Sequence, residues 1–388
     1  MLFFWLGTGC IQKFQPVLNS PPTGYLVVEG IINTNGPATV NLSRTTMLAD
    51  PSIQYENGAA VQVEGNDNSV YTFSQQGNGL YGISQLNLSS SQLYRLRIKT
   101  VSGEQYLSDF EPTETTPAID SINWVLANGG LQIYANTHDP QNKSPYYNWD
   151  FVETWEFQSP FLRELNYDTV FTPTGVQQLS VVYINGGPDY SIYTCWQSAP
   201  STSILLASTT TLNTNLINDF PLTFLDQNSI KLTIEYSLLV NQYALTENAY
   251  NYLQIMKANT EETGSIFSPQ PSQLQGNVHS LSNPAEIVVG YVGFASVQSK
   301  RIFIYNSQLP PAWSQYNAGC IEDSIYILDP KAPFDPQDQI QGAFELGLVP
   351  TAPVTFFPNG NIDRFLAAPP SCVDCTLTGT NQKPPFWQ

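Results

Sequence analysis

The chain has 388 residues, 14 Lys and Arg against 32 Asp and Glu, and a net charge of −18. A surface this acidic repels phosphate backbones and anionic headgroups, so no nucleic-acid partner is expected and any membrane attachment needs an anchor rather than a basic patch. The length suits two domains with insertions. Hydrophobic residues (41%) are ample for packed cores, while charged residues (12%) are about half the usual share, leaving Ser, Thr, Asn and Gln to cover the surface.

Residues 1–9 read as the end of a lipoprotein signal peptide: Leu2–Leu6 is apolar, Gly7, Thr8 and Gly9 are small, and Cys10 is the expected lipidated N-terminus. No Lys or Arg precedes the apolar run and Leu6 stands four residues before Cys10 rather than three, so the signal reads as truncated. Residues 10–22, with Pro16, Pro21 and Pro22, form a tether.

From Tyr25 the pattern has period two. Strands are expected at Tyr25–Ile32, Ala38–Arg44, Ala59–Val63, Val70–Phe73, Leu80–Ile83, Tyr94–Thr100 and Glu104–Phe110, with Gly, Asn and Asp in the turns. That number of short strands predicts an immunoglobulin-like β-sandwich over 23–112, with Tyr94 as a tyrosine corner. The Thr- and Pro-rich Glu111–Pro117 is the expected domain boundary. A second immunoglobulin- or fibronectin-like sandwich is predicted over 113–309, opening with strands at Ile119–Leu126, Leu131–Thr137 and Tyr146–Phe157 and with Trp149 or Trp155 filling its core. Residues 158–223 read as a long excursion whose one strand pair is Gln178–Ile184 with Ile192–Cys195. The aromatics Trp155, Phe157, Phe161 and Tyr167 are candidates for a sugar-stacking or protein-contact surface; for the first two the alternative is core packing.

Ile230–Tyr236 alternates as a strand, and the one amphipathic helix follows at about 246–260. Thr246 is its N-cap, Glu247 favours the first turn, and Ala249, Tyr252, Leu253 and Met256 form its apolar stripe. Gly264 is the expected stop, before an extended exit at Pro269 and Pro271. Asn241, Gln242, Tyr243 and Gln270–Gln273 are polar where a purely packing segment would be apolar. The segment is therefore expected to brace the two sandwiches or to present a partner-contact surface, with Tyr243 and Gln273 its candidate contacts. Ala285–Ser296 and Ser299–Tyr305 read as the closing hairpin of the second sandwich, and 310–388 as an irregular Pro-rich tail packed on the body.

Besides Cys10 there are Cys195, Cys320, Cys372 and Cys375, an even number that reads as two disulfides. Three pairings are open, with a preference for Cys320 bonding one of the tail cysteines. A metal site at Cys372-x-x-Cys375 lacks a second such pair, so neither metal nor cofactor is expected. Catalytic motifs are absent: no G-x-S-x-G, H-E-x-x-H, Walker A or G-x-G-x-x-G occurs, and the two histidines, His138 and His279, have no nucleophile beside them in sequence. Asp139 with Asn142, and Asp329 with Asp335 and Asp338, offer oxygens to calcium without EF-hand spacing. No enzyme is expected.

Several stretches carry a family likeness: Tyr25–Gly30 with Val40–Thr45; Gln242–Thr246 leading to Tyr250; Gly264–Phe267, Pro269–Gln273 and Gly276-Asn277; Asn283-Pro284, Gly290-Tyr291 and Lys300–Ile304; and Cys372–Cys375 with Asn381, Lys383-Pro384 and Phe386-Trp387. Together they resemble the Bacteroidota outer-membrane lipoprotein family known as domain of unknown function 4249. The resemblance implies an exported lipoprotein, anchored in the outer membrane of a Gram-negative cell and facing its exterior. It further implies a TonB-dependent receptor as partner, with this chain as a ligand-capturing accessory seated on the barrel like the SusD partner of a SusC-type transporter. It implies no catalytic residues. The alternative expectation is a stand-alone adhesin or glycan-binding surface protein; in either case a small-molecule, glycan or peptide ligand is left open.

Overall fold

The computed structural model describes residues 24–46, 52–171, 177–261, 276–314, 319–327 and 336–387. The fold is mainly β. The chain forms two compact units, residues 1–114 with 263–296 and residues 115–262 with 297–388. Cys10 and Gln273, and the expected helix stop at Gly264, lie outside the described residues.

The first unit takes β1 (Leu26–Asn33), β2 (Asn35–Arg44), β3 (Gln54–Tyr55), β4 (Ala60–Gly65), β5 (Val70–Gly77), β6 (Leu80–Asn87), β7 (Leu93–Lys99), β8 (Gln105–Ser108) and β9 (Glu111–Glu114). The chain then builds most of the second unit with β10 (Ile119–Ala127), β11 (Gly130–His138), β12 (Tyr146–Gln158), β13 (Leu165–Phe171), β14 (Gln177–Tyr183), β15 (Thr194–Pro200), β16 (Leu205–Ser208), β17 (Leu216–Asp226), β18 (Glu235–Ala244) and α1 (Glu247–Thr260). It returns to the first unit for β19 (Val278–Ser280) and β20 (Val289–Ala295), and ends in the second with β21 (Val297–Tyr305), β22 (Asp323–Tyr326), α2 (Pro336–Glu345), β23 (Val349–Phe356) and β24 (Ile362–Ala368).

The first unit is a closed barrel, not the open sandwich the strand count predicts. Its ring runs β7-β4-β5-β6-β2-β1-β20-β9 and closes because β9 pairs with both β20 and β7. The decisive strand is β20, which lies parallel to β1 from Val27↔Val289 to Asn33↔Ala295. The expected hairpin of 285–296 with 299–305 therefore does not form: β20 joins the barrel and β21 pairs with β18. The backbones approach closely there: a Cβ on Gly290 would lie 2.1 Å from the Val28 carbonyl oxygen, and one on Gly276 1.6 Å from the Gly290 carbonyl oxygen. Inward residues of alternate positions fill the ring, among them Val28, Val40, Val61, Tyr81, Leu96, Ile98 and Phe294. Tyr94 accepts the Ser89 N–H at 2.8 Å, a tyrosine-corner contact five residues upstream. At one edge Arg44 gathers Glu56 (2.7 Å), Glu104 (3.1 Å) and Glu286 (3.9 Å), and Tyr106 donates to Glu286.

The second unit is a two-layer sandwich. The sheet β10-β11-β17 and the sheet β15-β12-β18-β21, with β16 added along β12, contribute inward side chains to one core. On β12 the odd positions face in: Tyr147, Trp149, Phe151, Trp155 and Phe157 are all buried. Ile230–Leu232 is a 3₁₀ turn rather than the start of a strand. Ser229 accepts the Lys231 N–H and Thr233 donates to the Ile230 carbonyl, local bonds that compete with a ladder. Thr246 caps α1 by accepting the Ala249 N–H at 3.2 Å. The predicted pairing of 178–184 with 192–195 is also replaced: β14 pairs with β13, and β15 with β12.

The C-terminal region is ordered structure rather than an irregular tail. Sheet β22-β24-β23 and α2 share a small core with the β13–β14 hairpin, built on Leu165, Val181, Ile327, Ile340, Ile362 and Phe365. Pro350 and Pro353, which argue against a strand, sit on the edge strand β23 where the ladder shifts register. Disulfides Cys195–Cys375 and Cys320–Cys372 tie the last segment down, closing sequence separations of 180 and 52. In the chain-entropy view each stabilises by ~2–4 kcal/mol.

At the barrel closure Glu111 is buried and accepts from Tyr291 Oη (2.7 Å) and Asn277 Nδ2 (3.3 Å). Burial, and to a lesser extent the Asp109 charge, push its carboxyl above the usual glutamate range, against the pull of those two hydrogen bonds. Burial and the Glu111 charge raise Glu114 as well. A raised folded-state value stabilises the fold below the usual range, and that contribution disappears as pH rises through the folded value. Glu111→Gln keeps the acceptor oxygen and removes the buried charge. It is expected to gain about 1 kcal/mol over the parent at pH 8, with the gain vanishing near pH 4. Urea unfolding at the two pH values measures this, and a loss at pH 8 would refute it.

Candidate functional site

A cleft of about 450 Å³ opens at one end of the sheet β10-β11-β17, lined by His138, Asp139, Pro140, Asn142, Thr214, Asn215 and Leu216. Two loops, β11–β12 and β16–β17, build it and are laced together. Asn142 Oδ1 accepts the Asn215 N–H (2.6 Å), the Asn215 carbonyl accepts the Asp139 N–H (2.8 Å), and Thr209 donates to Asn215 Oδ1 (2.8 Å). The Asp139 carboxylate accepts the N–H groups of Gln141 (2.9 Å), Lys143 (2.5 Å) and Ser144 (2.8 Å). Burial alone would raise Asp139; those three donors outweigh it and hold the carboxylate below its usual range. Its oxygens thus hold the turn, which leaves little for a calcium ion. His138 Nδ1 lies 2.8 Å from Asp120 Oδ2, and its Nε2 has no hydrogen-bond partner among the described residues.

The cleft continues onto the outer face of the sheet. Strand alternation on β11 buries Leu131, Ile133, Ala135 and Thr137 and turns Gln132, Tyr134, Asn136 and His138 outward in one row. Ladder partners extend the row sideways, with Val125 and Phe224 beside Gln132, Asn123 and Pro221 beside Tyr134, and Leu216 beside His138. Val125 and Phe224 are 49% and 46% exposed.

The described aromatic and partner-contact candidates from sequence lie elsewhere. Trp155 is 5% exposed, within the sandwich core, with Lys231 Nζ 4.9 Å over its ring, so it offers no sugar platform. Phe161 packs against Cys372 and Val373 and donates its N–H to the Cys372 carbonyl. Tyr167 lies edge-on to Phe344 and Phe365 in the small C-terminal core, and burial pushes its hydroxyl up to about 12. Tyr243 donates to Asp150 Oδ2 at 2.8 Å; burial and then the Asp150 charge hold it protonated. These side chains are framework. Of the cleft residues, Asp139 and Asn142 stand out in sequence as possible calcium ligands, whereas Thr214, Asn215 and Leu216 escape because 209–226 carries no clear periodicity; the alternation of 131–138 does expose the outward row.

Gln242, at 0% exposure, is the clearest framework residue. Its Oε1 accepts from Trp149 Nε1 (2.9 Å), while its Nε2 donates to the Pro117 carbonyl (2.8 Å) and to Thr137 Oγ1 (3.0 Å). One amide thereby pins the first residues of the second unit to its core.

Residues 11–301 match the family model described as Domain of unknown function (DUF4249). The chain belongs to that family. No curated protein matches the DUF4249 chain in sequence. Among solved structures, a candidate carbohydrate-binding protein from Bacteroides uniformis ATCC 8492 is 13% identical at a TM-score of 0.16, covering 57% of this chain and 90% of that one. The adhesin InvE of Yersinia pseudotuberculosis is 10% identical at a TM-score of 0.14, covering 55% of this chain and 54% of its own. Likeness that low fixes neither fold nor ligand.

Gln242→Ala removes three hydrogen bonds, leaves the buried Trp149 Nε1 without its acceptor, and is expected to lower stability by about 3 kcal/mol. Tyr243→Phe leaves Asp150 with the Asn241 donor (2.7 Å) and is expected to cost about 1 kcal/mol. Urea titration of both variants checks this; a Tyr243→Phe protein of unchanged stability would return Tyr243 to the list of contact candidates.

Proposed function

We propose that this DUF4249 protein is a non-enzymatic lipoprotein, anchored through Cys10 in the outer membrane of a Gram-negative cell and facing outward, that captures ligand for a TonB-dependent transporter. Its two-layer second unit is read as the immunoglobulin-like part of that body. What carries the reading is the pair of disulfides in a chain of this family, because such cross-links persist in oxidising compartments outside the cytoplasm. The disposition of reactive groups supports binding over chemistry. Among the described residues, His138 and His279 face Asp120 and Asp109, neither imidazole hydrogen-bonds a Ser, Thr or Cys side chain, and every cysteine is in a disulfide. No described helix is long and apolar enough to cross a membrane, and in this reading attachment rests on the lipid.

The test is purification in mild detergent from cells expressing the full chain. The expected result is co-elution with an outer-membrane barrel, and release of the protein from the membrane fraction on Cys10→Ala. A clean monomer with membrane retention unaffected by Cys10→Ala would sink the proposal.

A further inference from the structure

We infer that the outer face of sheet β10-β11-β17, running into the cleft at His138, is a binding platform for a neutral polysaccharide chain. The inference rests on the capture reading only in taking the protein to have a ligand site; the ligand class comes from the face itself. From Gln132 to His138 the outward row of β11 spans roughly 20 Å at a strand's rise per residue. That is a track for several linked sugar rings rather than a pocket for one small molecule.

The chemistry along the track alternates apolar area with hydrogen-bonding groups. Phe224 and Tyr134 offer rings, and Val125 and Leu216 add apolar edges. Between them stand the amides of Asn123, Gln132 and Asn136, and the track ends at His138 and Asp139 in the cleft. Much of this capacity is open. The Tyr134 hydroxyl and the Asn123 amide make no hydrogen bond with the described residues, and Gln132 uses only its Nε2, donating to the Ile133 and Thr223 carbonyls, which leaves Oε1 free. Asn136 is held in place, donating to Ser121 and accepting the Asp219 N–H. Pyranose rings present the complementary pattern, with apolar C–H faces that stack on aromatic rings and equatorial hydroxyls that both donate and accept.

Charge decides among polymers. None of β10, β11 and β17 contains a Lys or Arg, whereas Asp120, Asp219 and Asp226 lie along them. A sulfated or uronic-acid chain would meet those carboxylates, as would nucleic acid, and the Lys300 ammonium that reaches β10 from β21 is engaged by the Ile119 and Asp120 carbonyls. An apolar peptide would need a broader hydrophobic patch than two rings and two aliphatic side chains set among amides. A neutral glycan meets neither objection.

The experiment uses the full chain in mild detergent. Binding is measured to immobilised neutral oligosaccharides of cellulose, starch, mannan and xylan, and to heparin and polygalacturonate as polyanions. At least one neutral glycan is expected to bind. The double substitution Tyr134→Ala with Phe224→Ala is expected to weaken it about tenfold or more, Asn123→Ala by less, and Tyr183→Ala, an exposed ring elsewhere, not at all. Thermal melting of the exposed-site variants should be unchanged. Binding to none of the neutral glycans, preference for the polyanions, or indifference to the double substitution would each overturn the inference. So would loss of barrel co-purification in the double variant without loss of glycan binding, since the face would then be a protein contact. A barrel that fails to co-purify while glycan binding persists refutes the transporter partnership and leaves this inference standing.

Discussion

The parallel pairing of β20 with β1 is the constraint on which the rest of the structure depends. A ring of strands cannot close until every member is present, and here a strand needed next to residues 26–33 lies at 289–295. The chain must therefore leave the barrel at Glu114, build most of a second unit, come back for β19 and β20, and leave again at Val297. Both units are discontinuous in sequence as a result. Pairings this distant raise the contact order, and contact order of this kind goes with slow folding. The bare backbones of Gly276 and Gly290 then matter for a geometric reason: two chain segments meet there closer than any side chain allows.

The second unit answers the same topology with polar pins inside its core. Gln242 binds residues that immediately follow the first exit, and Thr116 accepts the Ala244 N–H at 2.9 Å on the same stretch. Deeper in, Glu153 faces the core yet is matched by Lys231 (2.5 Å) and by Tyr236 Oη (2.7 Å), so the buried charge is paired rather than stranded. At the far end Cys375 holds the last segment against β15, and Trp387 Nε1 donates to Glu156 at 3.1 Å. A chain that enters and leaves a domain repeatedly gains from contacts that fix its crossing points, and the Gln242 and Thr116 bonds sit just after the first of them.

Much of the architecture was legible because it rests on local pattern. Period-two runs mark β1, β7, β11 and β12, Thr246 marks the start of α1, and the cysteine count marks two cross-links. What was not legible is non-local. Strand alternation cannot say whether a sheet closes, so seven strands read as a sandwich where β9 and β20 make a ring. Two adjacent β runs, 285–296 and 299–305, read as a hairpin although the single residue between β20 and β21, Ser296, is where the chain passes from one unit to the other. Prolines at 350 and 353 suggest an irregular tail, because sequence does not reveal that β23 is an edge where a missing N–H costs nothing. Trp155 was ambiguous between platform and core, and its place at an odd position of β12 settles it.

Several of the stretches that carry the family likeness fall on this framework. Gly276, Asn277, Gly290 and Tyr291 surround the barrel closure; Gln242, Tyr243 and Thr246 pin the linker, hold Asp150 and cap α1; Cys372 and Cys375 fasten the end of the chain. Most of these are buried or bonded to another segment and Thr246 caps its own helix, so changing them costs stability. The outward row on β11 and its neighbours has the opposite character: Asn123, Val125, Tyr134 and Phe224 face solvent, and exposed positions outside such networks usually change at little cost. A scaffold held by one set of residues and a ligand face drawn from another can keep its fold while its specificity changes. That separation is what the proposed capture role requires, and it is why the residues of the family likeness, which lie on the framework, do not bear on the outward row.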